Sequence, residues 1–438
     1  MKRPFGKKKS TEANEPSSQE EQSFFGKVKH FFSTEPQKEK VLRHEDFNAA
    51  GDVYYAHVSA AYKVAQRILW LVFVVFMVFS VLTNYREITY DNFFYLIKDF
   101  SGAVDSDGSR YETLSYESDS RQNFALYRGG VATVSPSRMS VFTSTGRRTL
   151  NTTVSYSSPY MVSSNRYILV YDTSGTTFAL YNSFAKIHTE TLDYPVTDAC
   201  LAEDGSFAIV TRSADSRSVI ILYDRDFDRE IEIRADYHVF DIALDRDRNL
   251  LSVLSFDAGD GTGRTTLSVW DLNEKQREEN FEDKLSETQW DGEFPLACGF
   301  LEGRQFAVLT NRHVRILDDS FAQEEISDDY FGGNITGYSL NEQGAAVAVT
   351  VASQNRIFAF DKSGDLLYNG TVEFNVSDIG VYDSYLFLQT EDGITRLDTQ
   401  RETTEHLTSG DGVMMIYNDR TAMVCGESKA EYLMFARR

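Results

Sequence analysis

The chain has 438 residues, 42% of them apolar and 13% aromatic, which is material for one large β-rich domain with appendages. Its formal net charge is −22, an acidity that excludes nucleic acid as a partner, because phosphate binding needs a basic footprint. Three cysteines, Cys200, Cys298 and Cys425, are odd in number and far apart; they read as small buried hydrophobes, not as a disulfide framework.

The charge is unevenly spread: residues 1–67 sum to +3 and residues 86–438 to −25. Residues 1–63 read as a cytoplasmic tail, polar and disordered at its start. Within it, Ser23–Ser33 places Phe24, Phe25, Val28, Phe31 and Phe32 at helical spacing beside Lys27 and Lys29. A short basic-aromatic helix of this kind suits the inner leaflet of a membrane or a cytoplasmic partner.

Residues 64–85 are expected to cross the bilayer. Ile68–Leu82 contains one polar residue, Ser80, with Lys63 and Arg67 snorkelling at one end and Trp70 and Tyr85 anchoring at the interfaces. The run starts far from Met1 and no small-x-small site follows it, so it reads as a signal anchor and not as a cleaved leader. The basic side lies before the span, which places the N-terminus in the cytoplasm and the acidic remainder outside. Residues 86–109 read as a juxtamembrane helix capped at Thr89 or Asp91, followed by a flexible linker.

From residue 110 the chain repeats. Eight times a β-compatible run reaches a tight turn and leaves as a second run, at Gly130, Asn165, Gly205, Asn249, Gly303, Gly344, Ser384 and Arg420. The spacing is near forty residues, with one long step between Asn249 and Gly303. Four antiparallel strands fit each repeat, as in a β-propeller blade. The expected fold is therefore all-β, an eight-bladed propeller, or seven-bladed if the degenerate first copy is no blade. The last copy ends one strand short, so Arg110–Glu117 is expected to complete it and close the ring. The third strand of most repeats ends in Asp or Asn (Asn182, Asp224, Asp271, Asp318, Asp361, Asp398), a residue suited to capping the next turn.

Topology sorts the connections onto two faces. Turns between strands one and two and between three and four share one face, expected to look toward the membrane. The remaining connections share the other. Two long insertions are expected there, Phe256–Arg264 with Asp257, Asp260 and Arg264, and Leu285–Glu293 with Trp290. Trp290 reads either as an exposed anchor for a partner or as a packed core ring.

Val196-x-Asp198, Val239-x-Asp241 and Val376-x-Asp378 put carboxylates at one level of three innermost strands. Such a ring either binds a cation or basic peptide or ties neighbouring blades together. The histidines His188, His238, His313 and His406 have no ligand spacing, and no nucleophile motif is present. No catalytic, metal or cofactor residues are assigned.

The repeats with their single anchor resemble the quinoprotein-type eight-bladed propellers. More narrowly, they are similar to a bacterial family of single-pass membrane proteins that carry an outward propeller. The resemblance covers about Arg67 to Arg438 and implies the fold. It does not extend to quinoprotein chemistry, because Trp270 and Trp290 are the only tryptophans beyond the span and the per-blade tryptophan pattern is missing. The expected function is a membrane-tethered, non-catalytic scaffold for a protein or envelope polymer outside the cell. A transmembrane sensor ranks second and an enzyme third.

Overall fold

The computed structural model describes residues 49–83, 89–94, 97, 113–119, 121–173, 175–259, 261–273, 284–322 and 324–436. The expected helix at residues 23–33 lies outside them, as do Tyr85 and Asp260. The chain divides into two units, residues 1–100 and 101–438.

In the first unit, helix α1 spans Ala49–Thr83. Its segment Val58–Leu82 is apolar, exposed along its length and 25 residues long. At 1.5 Å per residue that is about 37 Å, enough to cross a hydrocarbon core of about 30 Å. Trp70 packs edge-on against Phe73, with centroids 6.0 Å apart. Residues 90–94 are helical, and Thr89 caps them as expected. Its Oγ1 accepts the Asn92 N–H at 3.2 Å, and its carbonyl accepts the Phe93 N–H at 3.0 Å.

The second unit is an eight-bladed propeller of eight four-stranded antiparallel sheets. Blade 1 occupies residues 123–153, blade 2 159–191, blade 3 198–235, blade 4 238–291, blade 5 295–326, blade 6 334–372 and blade 7 378–408. Blade 8 takes three strands from residues 413–434, and its outermost strand is Thr113–Ser115 from the domain's start. Thr113 pairs with Glu431 and Ser115 with Lys429, the expected closure. The first strand of each blade contacts that of the next, and blade 8 returns to blade 1. These eight strands line a central channel.

The burial pattern follows from this arrangement. Second and third strands are covered on both sides by neighbouring blades, so Phe207–Thr211 and Ser218–Tyr223 are buried throughout and read as unbroken apolar runs. Fourth strands lie on the outside and alternate, as Lys186–Thr191 does. Side chains of adjacent blades interlock in the clefts between them. Between blades 2 and 3, Phe207 stacks on Tyr223 at 4.5 Å, within a cluster that includes Leu169, Phe178 and Ile209.

The turns keep their expected chemistry. Gly205 has φ +94°, and a Cβ there would lie 2.8 Å from the Tyr167 ring of blade 2. All six third-strand Asx residues accept backbone N–H groups within two to four residues, among them Asn182 from Ala185 at 2.8 Å and Asp224 from Asp226 at 2.8 Å.

One assignment is corrected. Ser286–Asp291 is the fourth strand of blade 4, with Trp290 opposite Thr265, and not a connection to blade 5. Its one apolar side chain among polar neighbours suits an edge strand covered on one side only, a pattern easily taken for a loop. Leu285–Glu293 is therefore mostly strand, and of the two expected insertions only Phe256–Arg264 joins strands two and three.

Candidate functional site

The face carrying the strand two-to-three loops and the blade-to-blade connections, here the loop face, holds the candidate site. Each innermost strand begins at this face, so its first residues form the channel mouth there. Asp198 opens the strand Asp198–Leu201 and pairs with Val210; Asp241 pairs with Leu254 and Asp378 with Gln389. The three predicted carboxylates thus occupy one level of the channel.

Asp241 performs the linking role expected of such residues. Its Oδ2 accepts the Cys298 N–H of blade 5 at 2.7 Å, and its Oδ1 accepts the Ile242 N–H at 2.9 Å. Asp198 Oδ1 faces the Tyr171 hydroxyl of blade 2 at 3.5 Å, and its Oδ2 is buried beside the backbone N–H groups of Ala199 and Ile242. Asp378 Oδ1 accepts the Ile379 N–H of its own strand at 2.9 Å. Asn123, overlooked in the sequence for want of a charge, does in blade 1 what Asp241 does in blade 4: its Oδ1 accepts the Met161 N–H of blade 2 at 3.2 Å.

Burial raises the carboxyl of Asp241 to about 6. It raises Asp198 well above the ordinary range, with the Asp241 charge adding to the effect. Burial also raises Asp378. Three tyrosines share this space. Tyr160 of blade 2 lies 5.5 Å from the Tyr171 ring, and its hydroxyl is raised by burial and by the charges of Asp198, Tyr338 and Asp241. Tyr338 belongs to blade 6, opposite blade 2 in the ring, so the two phenols reach toward each other across the channel. They are 44% and 45% exposed.

Beside the mouth lies an aromatic ledge. Phe240 sits at a bulge where the register of blade 4 shifts between Val239 and Asp241. Its ring centroid is 4.8 Å from that of Phe294 and 6.2 Å from that of Phe256, and Phe256 lies 5.1 Å from Phe294. Phe240 and Phe294 are each 40% exposed. Arg–Asp pairs surround them: Arg217 with Asp257 at 3.6 Å, Arg264 with Asp291 at 2.7 Å, and Arg312 with Asp329. Arg312 also covers the exposed Phe331, 5.0 Å from its ring centre.

Asp257 and Arg264 are thus on the expected face, but as the charged rim of a hydrophobic patch. Trp290 is not an exposed anchor: it is buried between blades 4 and 5 among Leu267, Val308 and Phe321. The exposed aromatic role falls to Phe240 and Phe294, which sequence reasoning missed because a single phenylalanine in an apolar strand, or in the linker between two, carries no mark of exposure. Lys63, Arg67 and Trp70 lie on exposed parts of α1. Cys298 and Cys425 are buried free thiols and Cys200 is a part-exposed one. Among the described residues no group of three His, Cys, Asp or Glu side chains is placed to hold a metal ion.

No curated protein matches the chain. Among solved structures, Sqt1 of Saccharomyces cerevisiae superposes with a TM-score of 0.51 at 10% identity, covering 74% of this chain and 100% of that one. BamB from Moraxella catarrhalis gives 0.49 at 9% identity, covering 75% and 99%. At such identities the likeness to Sqt1 speaks to the fold alone. The sequence model of DUF5711, a family of unknown function, matches residues 107–433. The chain belongs to the DUF5711 family.

Proposed function

We propose that the protein is a membrane-anchored, non-catalytic scaffold that holds a protein partner on the loop face of its propeller, outside the cell. The observation that carries this reading is the exposed pair Phe240 and Phe294, packed with the half-buried Phe256 at the channel mouth and rimmed by three Arg–Asp pairs. Clustered aromatic rings enclosed by polar residues have the anatomy of an interface hot spot, where desolvation of a few large side chains supplies most of the affinity. The strongly acidic outer unit selects a partner with a basic docking segment, which its field would steer to the face.

The anchor rests on α1, whose Val58–Leu82 segment is long and apolar enough to span a bilayer and is not covered by protein. Lys63, Arg67 and the basic tail favour a cytoplasmic N-terminus. A rigid ring of eight interlocked blades keeps the loop face fixed in shape, which suits a docking platform. The test is photocrosslinking in intact cells from a photoreactive residue at Phe294. A discrete protein adduct that disappears with Phe240→Ser supports the scaffold, and no adduct above background sinks it.

A further inference from the structure

We infer that a polar cavity in the closing seam of the ring, between blade 8 and blade 1, is a binding site for the hydroxylated edge of a neutral sugar. The cavity has a volume of about 40 Å³ and lies beneath the connection from the closing strand to blade 1. Tyr116, Glu117 and Asp119 of that connection line one side, and Thr133, Arg138 and Ser140 of blade 1 line the other. Thr133 and Ser140 are a cross-strand pair on the same face as Val131 and Phe142, which pack on blade 8. The equivalent pairs are Val170 with Ala179 in blade 2, Ile209 with Ile221 in blade 3 and Val347 with Phe358 in blade 6, all buried and apolar. Where those blades fill the seam with hydrocarbon, blade 1 leaves two hydroxyls and a void. Thr133 is 5% exposed, and its hydroxyl has no hydrogen-bond partner among the described residues. A buried polar group left open costs about 1–3 kcal/mol unless something in the cavity meets it.

The charge of the lining decides against an ion. Arg138 and Arg148 are matched by Glu117 and Asp119, and Arg138 already pairs with Glu117 at 2.9 Å. A divalent metal would want three or more converging ligands, and none are so placed among the described residues. The predominance of hydroxyl and charged groups excludes a hydrocarbon ligand. What remains is an uncharged group that donates and accepts at once, and a sugar hydroxyl does both. It can donate to a carboxylate such as Asp119, accept from a guanidinium such as Arg148, and meet the Thr133 hydroxyl in either sense. Tyr116 and Phe142 add ring surface, against which the C–H face of a pyranose packs. The Tyr116 hydroxyl donates to the Gly426 carbonyl at 2.6 Å, and its ring lies 5.5 Å from that of Phe124, so this wall is held in place. The Glu117 side chain is 63% exposed, which puts the entrance at solvent. A void of this size takes about three water-sized groups, and one edge of a sugar supplies about that many hydroxyls.

The test uses the full-length chain in a polyoxyethylene detergent, which carries no sugar head group. The probes are D-glucose, D-galactose and N-acetyl-D-glucosamine, read by saturation-transfer NMR and by calorimetry. Saturable binding of at least one is expected, with a Kd of about 1 mM. The double variant Thr133→Val with Ser140→Ala gives blade 1 the pair that blade 2 carries. It is expected to weaken binding about tenfold or more and to leave the melting temperature unchanged. Arg148→Gln, at an exposed side chain, gives a second reading should the double variant fail to fold, and is expected to weaken binding about threefold. No saturable binding of any probe, or equal binding by the parent chain and the folded variants, overturns the site and leaves the cavity to ordered water. The methyl glycoside of the bound sugar separates the two sources of such a ligand: retained affinity assigns the chain end of a glycan, and its loss assigns the free sugar. The crosslink at Phe294 tests the aromatic ledge separately, so neither result decides the other.

Discussion

Arg315 pairs with Glu293 inside the joint between blades 4 and 5, where their side chains expose only 8% and 5% of their surface. The guanidinium lies 5.0 Å from the centre of the Trp290 ring, and Glu293 Oε2 also accepts the Thr310 hydroxyl at 2.6 Å. Trp290 is thereby held as part of the joint, and the linker just beyond it, which carries Phe294, is fixed from below. Glu293→Ala removes the buried carboxylate that Arg315 pairs with and is expected to cost about 3–5 kcal/mol of stability. The double variant Glu293→Leu with Arg315→Met should recover most of that loss, since apolar side chains then replace the buried pair. Chemical denaturation of the two variants beside the parent chain checks both outcomes.

Ring closure rests on few residues. Leu114, 3% exposed, is the apolar centre of a three-residue strand. Arg396 of blade 7 donates to the carbonyls of Asp419 and Ala436 and to Glu405, so it clamps blade 8 from the other side. Leu114→Asp and Arg396→Ala are each expected to cost about 3 kcal/mol or more. Hydrogen exchange should then rise first in Thr421–Cys425 and Lys429–Met434, while blades 3 and 4 stay protected.

The channel acids predict a pH dependence of stability. Asp241 and Asp198 hold protons more tightly in the folded ring than in the unfolded chain, where carboxyls titrate near 4. Between about pH 4 and 6 the folded state therefore binds more protons than the unfolded one. The stability these two groups contribute is fully present below that window and falls as pH rises through it, by on the order of 2 kcal/mol after allowing for water in the lumen. The decline continues above pH 6 because Asp198 is raised as well. Asp198→Asn should flatten the curve. Melting temperatures from pH 4 to 8 read this directly, and a rise across pH 4–6 in the parent that Asp198→Asn abolishes would contradict it.

Topology can be read by labelling. Asp257→Cys places a thiol on the loop face, at a position more than half exposed. Burial pushes the native thiols up, that of Cys425 to about 12, so they should react slowly. An impermeant maleimide added to intact cells is expected to label Asp257→Cys and leave the parent chain nearly unlabelled. Labelling only after lysis would place the propeller inside.

The architecture was largely legible from residues alone because each blade restates the same local rules. Apolar second and third strands, the Asp204-Gly205 turn and the closing Asx of strand three are all short-range signals, and eight copies average out their noise. The closing strand was legible for a different reason, since a ring with a missing strand at one end and a spare at the other has one solution. The site was less so. Trp290 could be read as anchor or as packed ring because Ser286–Asp291 is polar on the side that faces water, and its burial is decided with Arg315 and Glu293, residues outside that strand. Phe240 carried no signal because no local rule distinguishes a ring facing a cleft from one on an open edge. A bulge at that residue decides it, and a bulge leaves no mark in composition.

Docking of a partner on the aromatic ledge is tested most directly by comparing the two faces of the propeller. Photoreactive residues at Phe294 and Phe331 on the loop face, and at Arg304 in a turn on the opposite face, compare the two faces in intact cells. One shared adduct is expected from Phe294 and Phe331, none from Arg304, and loss of the adduct in Phe240→Ser without loss of stability. An adduct from Arg304 alone, or one at Phe294 that Phe240→Ser leaves unchanged, would contradict it.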